Sequence, residues 1–150
     1  MLRPALTVAA LALAVTGAGC GGDDASSTPA GAVRTYNDAV ADGNGDMACG
    51  RLADSAQKEL QRSTQGSARG SCKQVIDLLG AFYDDATKDR LRDAKVAAAQ
   101  TGDTARARFT SPVAFGGPDR EQTYELRRFG DSWKITSLGF APTDPGTVGP

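Results

Sequence analysis

Three cysteines are the most reactive side chains of this sequence, and the first of them has distinctive surroundings. Cys20 directly follows three small residues, 17–19, at the end of an apolar run over residues 5–16. Small side chains let an extended backbone enter a peptidase cleft, and a thiol just after the cleaved bond can take a diacylglyceryl group. The spacing therefore predicts cleavage before Cys20 and lipidation of its sulfur.

The N-terminal residues have the composition of an export signal. Arg3 supplies an early positive charge, and the apolar run of about 12 residues is shorter than the roughly 20 that a membrane-spanning helix needs. Residues 17–20 resemble the lipobox of bacterial lipoproteins, with Gly17 where that family more often has leucine. The resemblance implies a signal peptide at residues 1–19 and lipid attachment to the outer face of the bacterial cytoplasmic membrane. The alternative is an ordinary secretory signal that leaves Cys20 unmodified.

The other two cysteines form an even pair. In an oxidising compartment Cys49 and Cys72 are expected to join in a disulfide. The rival interpretation, metal binding, lacks ligands because the sequence contains no histidine. We predict no metal site and no cofactor.

Length and charge limit the remaining classes of function. The 150 residues carry a net charge of −1, which argues against nucleic-acid binding because that needs a concentrated basic surface. After the signal peptide, composition predicts a flexible tether at residues 20–31, one domain at 32–140 and a disordered tail at 141–150.

The first half of the domain has helical spacing. The apolar face of the first helix, which is expected to end near residue 42, contains Val33, Tyr36 and Val40. Asp46 is predicted to cap a short second helix, and Asp54 or Ser55 a third.

Ser71 and Gln74 have the spacing of a capping box, which predicts that a further helix begins there. Its predicted apolar face contains Cys72, Val75, Ile76, Leu79 and Phe82. The mixed charges of residues 84–92 predict a solvated turn.

From residue 95 the pattern alternates, and turn residues at 102–103, 116–119 and 130–131 divide it into strands. The predicted inward residues are Ala105, Ala107, Phe109, Tyr124, Leu126, Trp133 and Ile135. The predicted outward arginines are Arg106, Arg108 and Arg127. They form either a basic strip for an anionic partner or a solvated face with cross-strand ion pairs.

The order of elements resembles the nuclear transport factor 2-like superfamily, the cystatin-like cone, and its small bacterial lipoprotein members. The resemblance covers residues 32–140 and depends mainly on Gly-Asp-Thr-Ala at 102–105 and Gly-Asp-Ser-Trp-Lys-Ile at 130–135. It implies an α+β fold in which N-terminal helices pack on one curved antiparallel sheet. It also implies a pocket between the sheet and the first helix.

The predicted lining of that pocket is Tyr36, Phe109, Tyr124 and Trp133. The alternative is that these aromatic residues simply fill the core. We predict no catalytic residue, because strand parity directs no acid or base into the cone.

The sequence thus predicts a lipid-anchored, extracytoplasmic, non-enzymatic domain that binds a small apolar ligand or an envelope protein. One alternative is an isomerase or dehydratase of the same fold, which needs Asp38, Asp84 or Asp85 buried beside Tyr124. Another is a pure protein-interaction module that uses the arginine face. Membrane contact through the lipid on Cys20 is expected in each case, and the oligomeric state stays open.

Overall fold

Within the described residues, 25–64, 70–112 and 118–140 of a computed structural model, five helices precede four strands. The helices are α1 (Pro29–Ala41), α2 (Gly45–Gly50), α3 (Asp54–Ser63), α4 (Cys72–Phe82) and α5 (Asp85–Arg92). The strands are β1 (Ala97–Thr101), β2 (Thr104–Ser111), β3 (Arg120–Phe129) and β4 (Ser132–Ser137). They form one antiparallel sheet in the order β1-β2-β3-β4. The predicted α+β class, with helices packed on an antiparallel sheet, is confirmed.

The sheet buries the face that strand parity predicts. In β2 exposed and buried residues alternate from Thr104 onward, and Ala107 lies opposite Tyr124 of β3. The predicted inward residues are all buried: Ala105, Ala107, Phe109, Tyr124, Leu126, Trp133 and Ile135. Because the inward residues of β2 include two alanines, space is left on this face for the rings of its neighbours.

Helix α1 begins earlier than the periodicity predicts. The Thr28 hydroxyl accepts a hydrogen bond from the Gly31 N–H at 3.1 Å, and Pro29 occupies the first turn, where a missing N–H costs nothing. The helix therefore starts within the segment 20–31 that composition assigns to a tether. Thr28 as the N-cap and Pro29 in the first turn set the start of α1, and the spacing of apolar residues detects neither of them.

The cap of α2 differs from the prediction. The Asn44 side chain accepts a hydrogen bond from the Met47 N–H at 3.1 Å, so Asn44 and not Asp46 is the N-cap. Asp46 lies in the first turn of the helix, where its carboxylate is 3.5 Å from the Lys73 ammonium. The prediction of Asp46 as the cap is wrong because the helix starts two residues earlier than a cap at Asp46 allows.

Helix α3 has no side-chain cap at all, so the prediction that Asp54 or Ser55 caps it is wrong. Its N-cap residue is Ala53, whose N–H donates to the Ile135 carbonyl of β4 at 2.8 Å. The Ser55 hydroxyl donates to the Thr136 carbonyl at 2.7 Å. Bonds to the sheet therefore fix the start of this helix in place of a local cap.

The capping box of α4 is confirmed. The Ser71 hydroxyl accepts from the Gln74 N–H at 3.4 Å, and the Gln74 side chain accepts from the Ser71 N–H at 2.9 Å. The predicted inward face is confirmed for Cys72, Val75 and Ile76, which are buried. Phe82 is 60% exposed, so its predicted inward position is wrong. The helix ends at Phe82, and the next residue, Tyr83, packs against the core instead.

The predicted solvated turn at 84–92 is wrong, because these residues form α5. Asp84 caps this helix through a 2.7 Å bond from the Thr87 N–H to its carboxylate. Only Thr87 and Leu91 are buried, so the helix packs through a narrow face.

The predicted disulfide is present and joins Cys49 of α2 to Cys72 at the start of α4, with 6.1 Å between their Cα atoms. The two helices lie close together beyond the bridge. A Cβ atom at Gly80 would overlap the backbone of Gly43, so glycine at position 80 permits this approach. The bridge and the glycine contact together fix α4 against the turn between α1 and α2.

Candidate functional site

A pocket of about 270 Å³ opens between the helices and the inward face of β3. Helices α1, α3, α4 and α5 contribute Tyr36, Asn37, Val40, Leu60, Leu79 and Leu91. The remaining described lining is Tyr83, Ser111, Pro112, Arg120, Gln122, Tyr124 and Phe140. Nine of these thirteen residues are apolar or aromatic and four are polar, so the walls are mixed in character.

All three tyrosines of the chain meet at this pocket. Tyr36 extends from the buried face of α1, and the ring of Tyr124 lies 5.9 Å away in an edge-to-face arrangement. Tyr83 is half-buried and lies just after the end of α4. The sheet and two helices thus bring three phenols to one cavity.

Two of these phenols are held in the neutral form. Burial raises the pKa of Tyr36 far above its ordinary value, and the neighbouring Tyr83 raises it further. Burial also raises the pKa of Tyr124 well above its ordinary value, with smaller contributions from Tyr36, Tyr83 and the Glu59 carboxylate. The pocket interior therefore disfavours negative charge.

The amide of Asn37 is unsatisfied. This residue follows Tyr36 on α1 and is 2% exposed, yet its Nδ2 atom has no hydrogen-bond partner. Among the described residues, no other buried side-chain nitrogen or oxygen atom lacks a hydrogen-bond partner. Buried polar groups in native proteins nearly always find a partner, so this donor requires an explanation.

The mouth of the pocket is more polar. The described polar residues there include Arg120 and Gln122 on β3, and Arg120 is exposed. The Glu59 carboxylate accepts hydrogen bonds from the Leu138 N–H at 3.0 Å and the Phe140 N–H at 2.7 Å. These bonds fix the segment after β4, which places Phe140 in the pocket lining.

The predicted lining residues divide into two groups. Tyr36 and Tyr124 line the pocket, whereas Phe109 and Trp133 are not among its described lining residues. The Phe109 ring packs edge-on against Tyr124 with 4.9 Å between centroids, and Trp133 is 2% exposed in β4. A ligand-binding role for these four residues stays a prediction. Cys20 lies outside the described residues.

Sequence reasoning did not identify Asn37 or Tyr83. Asn37 is four residues after Val33 on the buried face of α1, so an amide within an apolar helical stripe was the available signal. Tyr83 has no comparable signal, because its position depends on where α4 ends.

The isomerase or dehydratase alternative needs Asp38, Asp84 or Asp85 buried beside Tyr124, and none of the three lies there. Asp84 caps α5, and Asp38 and Asp85 are exposed. Partial burial and the nearby Asp42 raise the pKa of Asp38, while Arg92 opposes this rise. None of the three predicted carboxylates is among the described lining of the pocket beside Tyr124.

The outward arginines do not form an unbroken strip. Arg106 lies opposite Glu125 on β3, and its guanidinium is 3.2 Å from that carboxylate. Arg108 and Arg127 lie opposite Thr123 and Thr104. The cross-strand ion pair agrees with the interpretation of this surface as a solvated sheet face.

Across residues 25–64, 70–112 and 118–140, no group of three or more His, Cys, Asp or Glu side chains is arranged to hold a metal ion. Within the same ranges no helix is both long and apolar enough to cross a membrane. Comparison of the chain with protein-family models, with curated proteins and with solved structures finds no match.

Proposed function

We propose that this chain is a lipid-anchored extracytoplasmic domain that binds a small, mainly apolar ligand in the pocket between Tyr36 and Tyr124. The observation that carries the proposal is the pocket itself, a space of about 270 Å³ that remains between the helices and the sheet. Tyr36, Tyr83 and Tyr124 border this space as well as the core. The pocket is slightly smaller than the roughly 300–1,000 Å³ typical of drug-sized ligands, so a small ligand fits it best.

We further propose a nuclear transport factor 2-like cone for this domain. The helices-first order and the four-stranded antiparallel sheet support it. The two hairpin sequences that carry the resemblance do form tight turns, with Gly102 and Gly130 both at φ 60°. In that fold the space between the sheet and the first helix is the expected place for a ligand.

The anchor is proposed at Cys20, with cleavage before it. Because the Trp133 N–H donates a hydrogen bond to the Ser26 carbonyl at 3.1 Å, the chain is held to β4 from Ser26 onward, and only residues 21–25 connect the lipid to the domain. A chain of that length spans at most about 20 Å, so the ligand must reach the membrane surface to be bound. Stable attachment requires two or more acyl chains on the cysteine.

Mass spectrometry of the mature protein should show an acylated N-terminal Cys20, and Cys20→Ser should move the protein from the membrane to the soluble fraction. The reason is that the thiol is the only proposed site of lipid attachment. A variant that replaces Cys49 and Cys72 with alanine keeps the anchor and should stay with the membrane. If Cys20→Ser remains equally membrane-bound, the anchor is wrong.

The pocket itself can be tested by filling it. Leu79 of α4 lines the pocket and is half-buried, so Leu79→Trp should occupy the space and weaken binding of the neutral dye N-phenylnaphthylamine by at least about tenfold. Leu78→Trp is the matched control, because Leu78 is the neighbouring residue and is exposed. This control should bind the dye like the unchanged protein in a fluorescence titration.

Two results would contradict the proposed function. One is an unchanged protein that takes up no apolar dye. The other is a folded Leu79→Trp variant that binds the dye as tightly as the Leu78→Trp control does.

A further inference from the structure

Taking the lipid anchor at Cys20 as the preceding section does, we propose that the outer face of the β3–β4 hairpin is a second membrane contact, which binds the anionic headgroups of the bilayer that holds the anchor. This hairpin surface consists of Arg127, Phe129 and Lys134. The inference rests on the proposed anchor and adds the face that the domain turns toward the lipid.

The point where the chain enters the domain lies beside the hairpin surface. The Trp133 N–H bond to the Ser26 carbonyl holds Ser26 at the free edge of β4. On its other edge β4 pairs with β3, where Phe129 lies opposite Ser132. Because neighbouring strands lie about 4.8 Å apart, the backbone of Ser26 is about 10 Å from the end of β3.

The short connection to Cys20 limits which part of the domain can meet the bilayer. Residues 21–25 span at most about 20 Å, whereas a domain of about 110 residues is about 35 Å across. The lipid therefore holds the end of the domain that contains Ser26 close to the headgroups, and the hairpin surface lies at that end.

The side chains of the hairpin surface suit a layer of anionic headgroups. Arg127 and Phe129 alternate with the buried Leu126 and so share the outward face of β3, and Lys134 lies opposite Arg127 on β4. Phe129 is 47% exposed, which allows an aromatic ring to enter the boundary between headgroups and acyl chains.

The two cations of this surface are available to phosphate. Neither Arg127 nor Lys134 forms an ion pair with another described residue. With Phe129 and the start of α3 they line a hollow of about 470 Å³, in which Asp54 is the acidic residue of the described lining. Two cations against one carboxylate leave this hollow with a net positive charge, which attracts an anionic membrane.

This contact also orients the ligand pocket. Arg120, at the mouth of the pocket, begins β3, and Phe129 ends it. A strand of that length spans about 30 Å, so the mouth faces away from the headgroups when the hairpin surface touches them. The ligand then enters the membrane-bound domain from the aqueous side.

Quenching of tryptophan fluorescence by lipids brominated in their acyl chains tests the contact. The acylated mature protein is reconstituted in vesicles of phosphatidylcholine and phosphatidylglycerol. Phe82→Trp is the matched control for Phe129→Trp, because Phe82 is also exposed but adjoins Tyr83 at the pocket end of the domain, and both variants keep the buried Trp133. Phe129→Trp should be quenched at least about twofold more strongly, since interfacial apolar side chains lie about 5–10 Å deep.

Charge reversal tests the role of the cations. Arg127→Glu combined with Lys134→Glu should remove the additional quenching of Phe129→Trp, because the reversed charges repel the headgroups. Lys95→Glu combined with Arg108→Glu is the matched control, since both residues are exposed, lie toward the other end of the sheet and change the net charge equally. This control should keep the additional quenching, and vesicles of phosphatidylcholine alone should lack it.

The outcomes separate this inference from the proposed function. Protein that does not float with the vesicles would contradict the anchor, and the hairpin contact with it. Protein that floats but quenches equally in Phe129→Trp and Phe82→Trp would overturn the hairpin contact alone. The same holds if the additional quenching survives the reversal of Arg127 and Lys134 or the removal of phosphatidylglycerol.

Discussion

Replacing both bridge cysteines with alanine is expected to lower the free energy of unfolding by about 3 kcal/mol. The disulfide joins residues 23 positions apart, and in the loop-entropy account its loss restores that much freedom to the unfolded chain. The folded state also depends on the bridge locally, because α2 contains only six residues and a helix of that length is not stable alone. Urea denaturation of the double variant beside the oxidised protein measures the difference.

Two controls isolate the bridge from the loss of the cysteine side chains. Reductant should lower the denaturation midpoint of the unchanged protein and leave the double variant unaffected. Met47→Ala changes an exposed residue of the same short helix and should alter stability by no more than about 0.5 kcal/mol. If the oxidised protein, the reduced protein and the double variant all unfold at one urea concentration, the bridge does not stabilise the fold.

The sheet was the part of the fold most accessible from the sequence. In a strand, successive side chains point to opposite faces, so one correct phase fixes every inward residue. Phe109 and Tyr124 set that phase for β2 and β3, and the burial of both strands follows it. The turn glycines at 102 and 130 supplied the boundaries, because their positive φ angles are conformations that glycine adopts easily.

Local signals identified the start of α4 but failed for α5. Ser71 and Gln74 satisfy each other across one turn, so sequence alone contains the whole interaction. Helix α5 also has a local cap, in which Asp84 accepts from the Thr87 N–H, but its other polar partners are distant in the chain: Arg90 pairs with Asp119 at 2.9 Å, and Arg92 with Asp42 at 2.6 Å. Its eight residues bury only Thr87 and Leu91, so its periodicity was too weak to distinguish it from a solvated turn.

The residues of the candidate site also divide into those that the sequence could place and those that it could not. Tyr36 and Tyr124 were predictable as pocket residues because each lies in a regular element of known phase. Tyr83 was not, since its place depends on the end of α4. Asn37 lies on a predictable face, but its missing hydrogen-bond partner is a property of everything packed around it. A sequence can place a polar residue in a core, and only the packed structure shows whether that residue is satisfied.

Raising the pH above about 10 should destabilise the protein steeply, because Tyr36 and Tyr124 cannot ionise easily while buried. Their pKa values are raised in the folded state, whereas in the unfolded chain each phenol ionises near its ordinary pKa of about 10. The stability tied to these protons is therefore fully present below about pH 10 and is lost as the pH rises toward the folded pKa values. Each tyrosine contributes about 1.4 kcal/mol per pH unit, or about 3 kcal/mol for the pair at pH 11.

Urea denaturation at a series of alkaline pH values, followed together with the ultraviolet absorbance of the phenolate, measures this effect. Tyr36→Phe and Tyr124→Phe should each remove about half of the additional pH dependence, since phenylalanine keeps the ring and cannot ionise. Tyr83→Phe is the matched control: burial also raises the pKa of Tyr83, but this residue is only half-buried, so its removal should flatten the curve less. Phenolate absorbance that appears near pH 10 in folded Tyr83→Phe, which keeps only Tyr36 and Tyr124, would show that these two phenols are open to water. The claim that burial keeps these two phenols neutral would then be wrong.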